Sequence, residues 1–147
     1  MTAPLASSEI AQRMGKELLQ AAPRAEGDAV VVESGSILEV ARFLRETPDL
    51  DFDFLVSITA VDRWDYLEVV YRLVSRGHNH SLVVKARCGD RDNAGLPSVV
   101  ELWRGADFQE REVFDLMGIR FEGHPKLKRI LTWDGFEGHP LRKDFLG

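Results

Sequence analysis

Between residues 52 and 88, apolar residues occupy every second position through three consecutive runs, and this alternation constrains the fold more than any other feature. Phe52, Phe54, Val56, Ile58 and Ala60 form the first run, Leu67, Val69, Tyr71 and Leu73 the second, and Leu82, Val84, Ala86 and Cys88 the third. A period of two is the strand period. Turn residues from Asp62 to Asp65 and at Gly77 separate the runs. The stretch therefore reads as an antiparallel meander with one buried side and one solvated side, the latter carrying Val83, Lys85 and Arg87. Cys88 takes a small core position.

The flanking segments have a different period. Ser7 or Ser8 is placed to cap a helix running to Ala22, with Ile10, Met14 and Leu18 on one face and Pro23 closing it. A strand is expected over 29–33. Ser36 and Glu39 have capping-box spacing for a second helix, whose Ile37, Val40, Ala41 and Leu44 share a face before Pro48. With the next strand this makes a β-α-β unit. Residues 89–97 read as a turn-rich loop, and a helical stretch is expected from Ser98 to Met117, broken at Gly105 and ended by Gly118. The expected fold is α+β: a two-layer single domain with a mixed four- to five-stranded sheet, helices on one face and an irregular C-terminal tail. Residues 1–119 form its core domain, and 120–147 an extended basic tail of the same unit.

A chain of 147 residues is long enough to bury about two-thirds of its unfolded surface. No apolar run approaches the roughly 20 residues of a membrane helix. The start, MTAPLASSEIAQRMGK, lacks the apolar core of a secretory signal, so a cytoplasmic location is expected. A single cysteine excludes an internal disulfide and a cysteine-ligated iron–sulfur cluster built by this chain. Neither G-x-G-x-x-G nor G-x-x-x-x-G-K-[ST] occurs. Residues 1–119 carry a balance of −7 and residues 120–147 one of +2. An acidic body repels phosphates, and no aromatic platforms interleave the tail's charges, so a protein is the expected partner rather than nucleic acid.

Glu110 breaks the stripe of Val99, Leu102, Trp103, Ala106, Val113, Phe114 and Met117. Two readings compete: a proton-moving buried acid, and an acid paired with Arg111 or a tail arginine, which is the expected one because buried charges persist by pairing. His78 and His80, with Asp90 or Asp92, have weak metal-site spacing, and a structural use is expected. The tail repeats a phrase, Phe121-Glu122-Gly123-His124-Pro125 and Phe136-Glu137-Gly138-His139-Pro140, each followed by Leu and a basic pair, Lys128-Arg129 and Arg142-Lys143. Proline holds His124 and His139 out of helical geometry and leaves their rings free to bond backbone. Trp133, Phe136 and Phe145 must bury against this domain or another subunit.

From Glu110 the chain reads EREVFDLMGIRFEGHPKLKRIL. This resembles the signature of the thirty-kilodalton subunit family of respiratory complex I, the NADH-quinone oxidoreductase: Glu110, Arg111 and Glu112, then Asp115, Leu116 and Met117, then His124, Lys128 and the pair Ile130-Leu131. The segment GFEGHPLRKDF from Gly135 to Phe145 is similar to the family's second characteristic phrase. The resemblance implies a scaffold subunit in the peripheral arm of a proton-pumping NADH:quinone oxidoreductase, on the cytoplasmic face of the membrane and attached only through the complex. It implies that FMN, iron–sulfur clusters, NADH and quinone are bound by other subunits, and that this chain has no catalytic, cofactor or metal residues. The partners it implies are the hydrogenase-like quinone-site subunit, the terminal-cluster subunit and the two-cluster ferredoxin-like subunit. Glu110, Arg111, Glu112, Asp115, His124, Pro125, Lys128, Arg129, His139, Pro140, Arg142, Lys143 and Asp144 become interface or structural residues. The equivalent subunit of an energy-converting hydrogenase or a ferredoxin-fed quinone reductase is the near alternative. An independent enzyme using Glu110 and His124 as an acid–base pair is the distant one.

Overall fold

The three alternating runs become three nine-residue strands in a computed structural model, which describes residues 3–132 and 137–145. Trp133, Gly135 and Phe136 lie outside the described residues. Along the chain the elements are β1 (Ala3–Pro4), α1 (Ser7–Glu17), β2 (Arg24–Glu26), β3 (Ala29–Glu33), α2 (Ile37–Glu46), β4 (Phe54–Asp62), β5 (Leu67–Ser75), β6 (His80–Cys88), β7 (Gly95–Pro97), α3 (Ala106–Met117) and β8 (Arg120–Glu122). The meander β4-β5-β6 is antiparallel throughout. Beyond it β3 joins β6 in parallel, giving the order β2-β3-β6-β5-β4, and the two-residue β1 also lies beside β6, making six strands.

Ile10 and Met14 of α1, Val40 and Leu44 of α2, and Val113 and Met117 of α3 share one apolar cluster with the inward residues of β3 to β6. The three helices therefore cover one face, as the α+β expectation requires. The other face carries Arg72, Lys85 and Arg87 around Glu68, which is only 1% exposed and receives Arg87 Nε at 3.0 Å. Cys88 is buried in the core, and burial raises its thiol pKa.

Several boundaries depart from expectation, each for a local reason. The β-α-β unit is not one of neighbouring strands: β3 and β4 run the same way, but β6 and β5 lie between them. Helix α1 stops at Glu17, since Leu18 leaves helical geometry and the left-handed Ala22 precedes Pro23. Neither serine caps it; the Ser7 hydroxyl instead donates to the Gly27 carbonyl at 2.7 Å. Ser36 makes no side-chain cap, because a 3-10 turn, Ser34–Ser36, already leads the chain into α2. Residues 98–105 form turns rather than helix. There Trp103 Nε1 donates to the Phe52 carbonyl at 2.9 Å, and the helix starts only at Ala106. The expected loop over 89–97 contains β7, which pairs in parallel with β8 beyond Gly118.

The first run also changes face. Leu55 pairs with Leu73 and Ser57 with Arg72, so Val56 is an extra residue in a bulge. One added residue exchanges the sides of the strand residues before it, while Phe52, ahead of the strand, stays buried. Phe54 and Val56 are consequently exposed, while Leu55 and Ile58 enter the core. Leu55→Ala should cost about 2–5 kcal/mol in urea unfolding, whereas Phe54→Ala should change stability by no more than about 0.5 kcal/mol. The reverse order would mean an unbulged strand.

Candidate functional site: the α3 and tail junction

A helix ends with four backbone carbonyls that its own N–H groups do not reach in regular helical continuation. In α3 these belong to Phe114, Asp115, Leu116 and Met117, and each has a donor. Gly118 N–H bonds to Phe114 O at 2.9 Å, in the left-handed conformation (φ 72°) that favours glycine. The other three donors come from the tail: His139 Nδ1 to Asp115 O at 2.9 Å, Leu141 N–H to Leu116 O at 2.9 Å, and Arg142 Nε to Met117 O at 2.6 Å. A carbonyl only accepts, so His139 carries its proton on Nδ1. A side chain at position 118 would meet the His139 ring at 2.5 Å, so Gly118 serves both the turn and the close approach.

Asp115 holds the tail from the other side of the same turn. It is fully buried, and its Oδ2 accepts the N–H groups of Ile130, Leu131 and Thr132 at 3.1, 2.7 and 2.9 Å. Its Oδ1 accepts the Thr132 hydroxyl and Arg129 Nη1. Burial alone would raise its pKa, but the Thr132 hydroxyl and the three N–H groups outweigh burial and hold it below the ordinary value. Arg129 Nη2 reaches on to the Gly138 carbonyl at 2.9 Å.

The first tail phrase grips the other end of α3. The buried His124 ring accepts Lys126 N–H at Nδ1, 2.9 Å, which leaves the proton on Nε2 to reach the Asp107 carbonyl at 3.1 Å. The Asp107 carboxylate lies 3.0 Å from the same nitrogen. Arg111 Nε donates to Lys128 O at 3.2 Å, with its guanidinium 5.4 Å from the Phe108 ring.

Glu110 is fully buried but joins no ion pair among the described residues, contrary to the expectation. Its oxygens accept the Ser98 hydroxyl at 2.5 Å and Val99 N–H at 2.9 Å, fixing the turn that precedes α3. This neutral solution suits an acid whose pKa burial raises, against the opposing pull of those two donors. Arg142 is tied to the helix rather than free in the tail, its guanidinium sealing the helix end. The Lys143 ammonium lies 5.7 Å from the Trp64 ring, and its backbone N–H donates to Asp62 Oδ2 at 2.9 Å.

Asp62 is a site residue that the sequence pattern does not single out. It ends β4 and takes a bidentate contact from Arg91, which with Lys143 and Trp64 N–H holds its carboxyl far below the usual range. Asp144 lies 3.6 Å from the same Arg91. Pro125 is exposed and Pro140 half-buried, each following its histidine. His78 and His80 stack on each other and bond the Pro48 and Leu50 carbonyls through Nε2, each at 2.8 Å. No group of three or more His, Cys, Asp or Glu among the described residues is placed to hold a metal.

Kinship is shown over a much longer stretch than this junction. The family model described as "Respiratory-chain NADH dehydrogenase, 30 Kd subunit" matches residues 30–147. The chain belongs to this family. Similar curated relatives are the NADH-quinone oxidoreductase C-subunit of Roseiflexus castenholzii, 47% identical over 79% of this chain and 68% of the relative, and the NADH-quinone oxidoreductase C-subunit numbered 2 of Rhizobium meliloti, 46% identical over 80% and 65%. The chain thus spans about two-thirds of the length of these relatives. Among solved structures, it is similar to a chain of the membrane-bound sulfane sulfur reductase, an archaeal respiratory membrane complex, at 29% identity and a TM-score of 0.74, over 93% of this chain and 84% of that one. No helix among the described residues is long and apolar enough to cross a membrane.

The opposite environments of Glu110 and Asp115 give opposite responses to pH. The Glu110 contribution to stability is complete below the ordinary carboxyl range and declines as pH rises through its raised value. Melting temperatures measured from about pH 4 to about pH 8 should show this decline in the parent chain and lose it in Glu110→Gln; parallel profiles would refute the assignment. Asp115 contributes above the ordinary range and loses that contribution as pH falls through its lowered value. Asp115→Asn should cost about 1.5–3 kcal/mol and speed hydrogen exchange at Ile130, Leu131 and Thr132.

Proposed function

We propose that this chain is a non-redox scaffold subunit in the peripheral arm of an NADH:quinone oxidoreductase, docked on the cytoplasmic face of the membrane through its partners. The observation that carries this reading is the use of the family signature itself. Glu110, Asp115, His124, Arg129, His139 and Arg142 are engaged in fixing the chain's own turns and helix ends. Side chains held this way give a shape that does not yield when neighbours press on it, which suits keeping redox centres in other chains at fixed separation. The proposed neighbours are the hydrogenase-like quinone-site subunit, the terminal-cluster subunit and the two-cluster ferredoxin-like subunit. FMN, the clusters, NADH and quinone would all be held by chains other than this one.

The likeness to a chain of the sulfane sulfur reductase complex supports a second reading, in which the same scaffold serves a related respiratory membrane complex with another electron donor or acceptor. Affinity isolation of the tagged full chain from native membranes separates the two. The first reading expects the named subunits and NADH:quinone activity in the isolated assembly, with no turnover by the free chain. Isolation with a hydrogenase-like assembly lacking NADH oxidation would favour the second, and turnover by the free chain would overturn both.

A further inference from the structure

On one side the sheet ends at β4, and beyond it α3 runs past without closing the gap. The result is a groove of about 140 Å³ between Ile58 and Ala60 on the strand and Glu112, Val113 and Leu116 on the helix, with Leu141 at its end. Gln109 Oε1 accepts the Ile58 N–H at 2.6 Å and so blunts the strand edge at one position. Leu141 is 61% exposed although its backbone is tied to Leu116 O, so the tail holds an aliphatic side chain rigidly at the surface. One turn of α3 before Glu112, Phe108 is 63% exposed. Glu112 itself is exposed on the rim and makes no ion pair among the described residues.

We infer that this groove is a docking site for an extended segment of another protein, one that sets an aliphatic side chain between β4 and α3 and a neighbouring lysine or arginine against Glu112. The inference rests on the subunit reading above and deepens it by naming the surface. An edge strand offers main-chain groups to an extended segment, the apolar lining accepts a single aliphatic side chain, and the unpaired carboxylate selects a basic neighbour. A second copy of this chain is disfavoured as the occupant, because its own Leu-basic segments are engaged within the tail: Leu127 packs half-buried against the core, and Leu141 N–H and Arg142 Nε are bonded to the end of α3.

The test places a photo-reactive residue at Leu141 of the tagged full chain in native membranes, with the same residue at Leu19, 80% exposed beside α1, as control. The expected result is a specific adduct from position 141 to a different protein, at a peptide carrying an aliphatic residue next to Lys or Arg. The adduct should fall about fivefold in Glu112→Lys and less in Glu112→Gln, with melting temperatures of both variants close to the parent's. No adduct above the Leu19 control, an adduct to a second copy, or an adduct indifferent to Glu112→Lys would overturn the inference. A co-isolated respiratory assembly without the adduct refutes the groove alone. An adduct to a protein outside any such assembly supports the groove and refutes the subunit reading.

Discussion

Three carbonyls at the C-terminal end of α3 require donors from outside the helix, and meeting that need organises the segment that follows Gly118. A helix end covered by protein cannot leave such groups to water without loss. The donors come from His139, Leu141 and Arg142, so the chain must turn back after Gly118 and return to the place it left. Asp115 makes the return possible by gathering three successive N–H groups of the outgoing segment onto one oxygen. The irregularity of the tail is thus a consequence of serving a regular element.

The duplicated phrase acquires a simple geometric sense in this setting. His124 bonds a carbonyl in the first turn of α3, and His139 bonds one in its last turn. The two contacted residues, Asp107 and Asp115, stand about two helical turns apart. In each case the residue after the histidine is proline, which keeps the ring out of a helix of its own. The two rings differ in tautomer, His124 carrying its proton on Nε2 and His139 on Nδ1, because one accepts a backbone N–H and the other does not.

What the sequence discloses and what it withholds divide along the range of the interactions. The meander is legible because alternation is a local record of burial, and Leu82, Val84, Ala86 and Cys88 do face inward. The face of Phe54 is not legible, because a bulge is fixed by partner register, which a single run of residues does not encode. Glu110 can be recognised as a buried acid, yet the pattern points to cations as its partners rather than to Ser98 and Val99 N–H, since a pattern of types does not reveal a neutral acceptor role. The bonding of the histidines to backbone follows from their prolines, although nothing in the phrase identifies the helix they hold. Asp62 and Arg91 leave no local signal because their meeting depends on how a turn and a loop fall together.

The contact between Asp62 and Lys143 spans 81 positions of chain, so the end of β4 is fixed by a residue near the far end of the tail. Strands β3 to β6 and their covering helices α1 and α2 all lie before residue 100. Helix α3 follows, but its final carbonyls await residues 139 to 142, and the carboxylate ending β4 awaits residue 143. Each of these closing contacts is long-range in sequence, whereas Val113 and Met117 in the same part of α3 belong to the main core. The tail thus joins the end of α3 to the end of β4, so that two elements from different parts of the chain share one closing segment.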